Sequence, residues 1–111
     1  MRKILTSEKT HQIAKEAMAS FHNEIVQEVE KATHTYEWVV VGMKQNPVVT
    51  SAKKFLNEKQ IPFHYIEYGS YFSKWKQRLA IKLWSGWPTF PQIFHKGVLI
   101  GGYSDLKKYL K

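Results

Sequence analysis

The run Tyr36-Glu37-Trp38-Val39-Val40-Val41-Gly42 constrains the chain more than any other segment, because it is short, rich in β-branched residues and almost uninterrupted by polar ones. A strand with one wet face would alternate apolar with polar residues, whereas a strand covered on both faces reads as a continuous apolar run. The segment is therefore predicted to be a central strand. Val48, Val49, Ala52, Phe55 and Leu56 then recur at helical spacing, and the stretch from Ile61 to Tyr68 returns to strand composition. Strand, helix and strand in so short a span fit a right-handed parallel crossover.

Upstream, Thr6 or Ser7 can cap a long helix whose Ile13, Ala14, Ala17, Met18, Phe21, Ile25, Val29 and Ala32 share one stripe. Downstream, Phe72, Trp75, Leu79 and Leu83 predict a further helix, with Lys74, Arg78 and Lys82 along an opposite, solvated side. Phe90 to His95, a Lys96-Gly97 turn and Val98 to Ile100 read as a β-hairpin. Gly101-Gly102 breaks the second strand, and Ser104 caps a last helix from Asp105 to Leu110, its early acid suited to the helix dipole. The order is that of the α/β thioredoxin-like fold: a four-stranded mixed sheet flanked by helices in residues 35–111, with an extra amphipathic helix in residues 1–34 packed on it.

A chain of 111 residues has room for one core, and 43% apolar content is ordinary for a folded domain. No apolar run approaches the roughly 20 residues that span a bilayer, and the charged N-terminus lacks the apolar stretch of a signal peptide, so the expectation is a soluble, cytoplasmic protein with no membrane association. Cysteine is absent, which excludes disulfides, thiolate metal sites and thiol nucleophiles. Any redox chemistry needs a borrowed cofactor. The net charge of +8 is uneven: residues 1–40 hold five Lys/Arg against six Glu, and residues 41–111 hold twelve Lys/Arg against Glu58, Glu67 and Asp105. Such a balance attracts polyanions, but no reading motif accompanies it, which disfavours a nucleic-acid role. His11, His22, His34, His64 and His95 show no metal-ligand spacing, so no metal site is expected.

Two segments carry a resemblance. Trp87-Pro88-Thr89-Phe90-Pro91-Gln92-Ile93-Phe94, followed by Leu99-Ile100-Gly101-Gly102-Tyr103-Ser104-Asp105-Leu106, resembles the C-terminal half of glutaredoxins, in wording nearest the monothiol, iron-sulfur-associated branch. The resemblance covers residues 37–110 and implies a glutathione groove. It implies a cis Pro91 that turns the Thr89-Phe90 backbone toward the groove, so that Phe90 pairs like an added strand with the cysteinyl part of glutathione. It also implies that Gly102 and the amides around Tyr103, Ser104 and Asp105 hold the γ-glutamyl carboxylate, and that Lys44 meets the glycine carboxylate.

The chain departs from the pattern at the reacting position. Asn46-Pro47-Val48-Val49 falls where the family has Cys-Pro-Tyr-Cys or Cys-Gly-Phe-Ser, so Asn46 occupies the place of the nucleophilic cysteine. A thiolate at a helix N-terminus is a nucleophile and a soft iron ligand, and an amide is neither. Asn at an N-cap followed by Pro is instead a strong helix start, worth about 1 kcal/mol over Ala. Lys44 is one residue from Asn46, nearer than in the family, Ser104 stands where many monothiol members have Asp, and Tyr103 stands where many relatives have Cys or a small apolar residue and so can occupy part of the site. His95, at the hairpin end, is expected near the groove.

The leading expectation is therefore a redox-inactive binding or adaptor domain with a residual groove for glutathione or a peptide, or a surface for a protein partner, and with no iron-sulfur cluster. The alternatives are the family's glutathione-dependent thiol-disulfide or cluster-related activity by a route the residues do not show, and a basic polyanion-binding module built on Lys74, Arg78 and Lys82.

Overall fold

All five residues of β1 (Trp38–Gly42) are buried, and β1 lies inside a four-stranded sheet of order β2-β1-β3-β4. The computed structural model describes residues 23–70 and 73–111. Their elements run α1 (Asn23–Thr35), β1, α2 (Pro47–Glu58), β2 (His64–Glu67), α3 (Trp75–Ser85), β3 (Gln92–His95), β4 (Val98–Gly101) and α4 (Tyr103–Tyr109). β1 pairs with β2 in parallel, from Val39 against His64 to Gly42 against Glu67, and with β3 in antiparallel, from Trp38 against His95 to Val41 against Gln92. β3 and β4 form the hairpin, with a register shift between Ile93 and Phe94. This is the thioredoxin-like architecture expected from the order of elements.

Alternation along β1 divides the interior in two. Val39 and Val41 pack with Val29 and Ala32 of α1 and Ile81 of α3 on one face of the sheet. Trp38 and Val40 pack with Ala52 and Leu56 of α2 and Leu106 of α4 on the other. Each fully buried aliphatic side chain contributes roughly 1.5–3 kcal/mol, so both faces depend on the apolar spacing that the sequence carries.

Of the helix expected in residues 1–34, the caps Thr6 and Ser7 and the stripe positions Ile13 through Phe21 lie outside the described residues, as does Phe72. Within α1, Val26 is buried beside Val29 and Ala32, and the Tyr68 hydroxyl donates to the Glu28 carboxylate, tying α1 to the segment after β2. β2 is shorter than the stretch Ile61 to Tyr68: the Ile61 N–H returns to the Leu56 carbonyl, which closes α2 before the strand begins. Among the described residues no helix is long and apolar enough to cross a membrane.

Two expectations are corrected. Arg78 is buried and not on a solvated stripe: Nη1 donates to the Tyr68 carbonyl at 2.9 Å and to that of Ser73, while Trp75 is 56% exposed. The helix begins only at Trp75, with Lys74 left-handed ahead of it (φ 56°), and its inward face is Arg78, Ala80 and Ile81. The guanidinium gives a donor to the buried Tyr68 carbonyl and a second bond to the part-buried Ser73 carbonyl. At the last helix the cap is Gly102 and not Ser104, which lies exposed in the first turn; the Asp105 carboxylate accepts from the Gly102 N–H at 3.1 Å. Gly101 makes room for this: its φ is +128°, and a Cβ there would meet Asp105 Oδ2 at 2.5 Å.

Candidate functional site

β1 ends at Gly42, and a turn through left-handed Gln45 (φ 58°) delivers the chain to Asn46 at the head of α2. The Asn46 backbone is extended (φ −107°, ψ 112°), and its Oδ1 accepts from Val48 N–H at 2.9 Å and Val49 N–H at 3.1 Å. Pro47 in the first turn has no N–H to leave unpaired. The Asn46 carbonyl takes the Thr50 N–H at 3.1 Å and is joined by the Thr50 hydroxyl at 3.3 Å. The side-chain oxygen is thus committed to starting the helix.

The same Asn46 borders a cavity of about 260 Å³ shared with Met43, Arg78, Lys82, Thr89 and Phe90. The Phe90–Pro91 peptide is cis, as the resemblance implied, and Phe90 and Pro91 are buried. Gly102 backs onto this turn: a Cβ there would lie 3.7 Å from the Pro91 carbonyl. Fold and sequence therefore bring Asn46, Thr89 and Phe90 to one cavity, with Pro91 and Gly102 behind it.

The remaining candidates sit elsewhere. Lys44 is exposed and its N–H is bonded to the Gly69 carbonyl, but it does not line the cavity. The Tyr103 ring packs edge-on against Phe55 at 6.0 Å, under Lys107, and does not fill the cavity. Asp105 is engaged with Gly102, and Ser104 points from the first turn of α4 without lining the cavity. His95 is at the opposite end of the sheet: β3 runs away from the groove, so its first residue, Gln92, pairs beside Val41 and its last, His95, beside Trp38. There His95 stacks on Trp38 at 4.0 Å and bonds to Glu37 and Tyr109.

Sequence reasoning missed Met43, Arg78 and Lys82 as lining residues. Lys82 reaches over the Phe90 ring, 5.7 Å from its centroid. The signal was the four-residue spacing of Arg78 and Lys82, which marks a shared helix face without saying which way it turns. Among the described residues no carboxylate lines the cavity, and the start of α2 adds its own positive potential, so the electrostatics favour an anion. Among the described residues Thr89 is the one hydroxyl lining the cavity, and no described histidine or carboxylate lines it to act as a base. Among the described residues no three His, Asp or Glu side chains are grouped to hold a metal.

Comparison with known proteins now bears on this geometry. A family model described as glutaredoxin matches residues 39–100. The chain is 47% identical over 109 residues to a glutaredoxin-like protein of Dictyostelium discoideum, covering 98% of this chain and 87% of that one. It is 40% identical over 84 residues to human glutaredoxin-3, covering 72% of this chain but only 24% of that longer protein. Among solved structures, a buckwheat glutaredoxin-glutathione complex superposes with a TM-score of 0.69 over 80% of this chain and 81% of that one, at 18% identity, a likeness of fold.

Proposed function

Because the chain belongs to the glutaredoxin family and has no cysteine, we propose that it binds where reactive members of the family turn over: a redox-inactive binding or adaptor domain with a residual groove for glutathione or a similar small peptide. The observation that carries this reading is the Asn46 side chain, whose oxygen is spent on Val48 and Val49 at the point where the family pattern needs a thiolate. A carboxamide neither attacks a disulfide nor leaves as a thiolate, so exchange has no first step here. What persists is the recognition half: a cis turn at Phe90, an open backbone beside Gly102, and a cationic wall.

Within this reading Phe90 offers main-chain hydrogen bonds to the ligand backbone. Lys82 supplies the charge for a terminal carboxylate, the role that the resemblance implied for Lys44, since Lys82 lines the cavity and the Arg78 guanidinium is already engaged with carbonyls. The Gly102 N–H is taken by Asp105, so the second anchor in this reading is the Tyr103 and Ser104 amides at the start of α4. A cytoplasmic setting, where glutathione is the principal thiol, completes the proposal.

The iron-sulfur cluster of the monothiol branch fails a test of fit. Its protein ligand would be a thiolate at position 46, the Asn46 oxygen there is bonded to two amides, and among the described residues the one sulfur lining the cavity is the Met43 thioether.

The reading is tested by calorimetric titration with glutathione beside a standard glutathione-dependent disulfide reduction assay. Binding that weakens at least about tenfold in Lys82→Glu, together with no turnover, is the expected pair of results. Measurable turnover by the unmodified protein would overturn the redox-inactive assignment.

A further inference from the structure

A larger concavity, about 590 Å³, lies away from the groove between the outer strand of the sheet and the last helix. Val98, Leu99 and Ile100 of β4 wall it on one side and Lys108 and Tyr109 of α4 on the other, with Lys96 at the turn end. β4 pairs only with β3, so among the described residues no strand covers its other edge. Alternate N–H and C=O groups of such an edge point outward, ready to pair with an added strand.

Three further features say what would pair there. The floor is apolar, and Val98 is 66% exposed. The aromatic wall is held in advance: the Tyr109 hydroxyl lies 2.8 Å from His95 Nδ1, His95 Nε2 lies 3.0 Å from Glu37, and both Tyr109 and His95 pack on Trp38. A wall already ordered spares a ligand the entropy of fixing it. The rim is cationic on balance: Lys96 and Lys108 face the trench against one lining carboxylate, Asp105, whose Oδ2 is turned back to accept from the Gly102 N–H, while Glu37 outside it is bonded to His95.

We infer that this trench docks an extended acidic segment of a partner protein, added antiparallel or parallel to β4 as a fifth strand. Its backbone pairs with Val98–Ile100, an apolar side chain enters against Tyr109, and its carboxylates meet Lys96 and Lys108. A second copy of this chain is a poor occupant, because each copy carries +8 and symmetric pairing would set the basic rims against each other. The inference goes beyond the groove and stands whether or not glutathione binds there.

The test is an amide NMR titration of the full chain with the acetylated, amidated hexapeptide of alternating glutamate and valine, alongside its lysine-valine counterpart. Saturable shifts at Val98, Leu99, Ile100 and Tyr109 are expected for the glutamate peptide alone. Affinity should fall about tenfold or more in Val98→Glu and in Lys108→Glu, both surface changes that leave the core intact, and should fall with added salt. Equal shifts from the lysine peptide, shifts confined to Thr89 and Phe90, unchanged affinity in both variants, or the same β4 shifts from butyrate alone would each overturn the inference, the last in favour of a small-molecule site.

Discussion

Replacing Asn46 by alanine removes the one oxygen that serves both Val48 and Val49 N–H, and should lower the stability of the domain by about 1 kcal/mol in urea unfolding. Replacing it by cysteine makes a different point. The helix start and Lys82 remain, so the new thiol of Asn46→Cys should be alkylated with an apparent pKa below the ordinary value of about 8.5. If the groove retains its shape the variant should also form a mixed disulfide with glutathione, followed by intact mass. An ordinary thiol pKa would show that the helix terminus does not act on position 46. Asn46 was fully legible in the sequence because a cap is local chemistry. Arg78 was not, because its partners are carbonyls of Tyr68 and Ser73 that only the folded chain brings to it.

At the scale of elements, Arg78 joins the end of β2 to the start of α3. Arg78→Ala should cost about 2–3 kcal/mol by taking the donor from the buried Tyr68 carbonyl and breaking the second bond to Ser73, and Arg78→Lys should recover only part, since an ammonium cannot reproduce the fork; thermal or urea unfolding of the two variants measures both. The parallel crossover and the hairpin were readable from the apolar run at Trp38–Gly42 and from Lys96-Gly97, because burial on two faces and a tight turn leave marks in neighbouring residues. Helix orientation was not readable with the same security. A late start at Trp75 turned a stripe expected to face water toward the groove, and an Asp105 side chain reaching back moved the last cap from Ser104 to Gly102. The groove itself was half legible: Thr89 and Phe90 came from wording, whereas Met43 and Lys82 are neighbours only through the sheet and α3.

Across the whole molecule, the attachment of α1 has a pH signature. Burial, then the hydrogen bond and charge of Glu28, raise the Tyr68 phenol well above its ordinary value. A folded-state pKa raised above the unfolded one gives stability that is fully present below about pH 10 and is lost as pH rises through the higher folded value. The melting temperature should therefore fall through the alkaline range, and the fall should be shallower in Tyr68→Phe, which keeps the ring but has no proton to lose. Lysine titration is common to both proteins, so their difference isolates the tether.

The central claim is that the groove binds without reacting, and an amide NMR titration of the unmodified chain with reduced glutathione tests it residue by residue. Saturable shifts at Thr89, Phe90 and Gly102, with Val98–Ile100 unmoved, are the result the account predicts. Silence at those three amides up to saturating glutathione would contradict it.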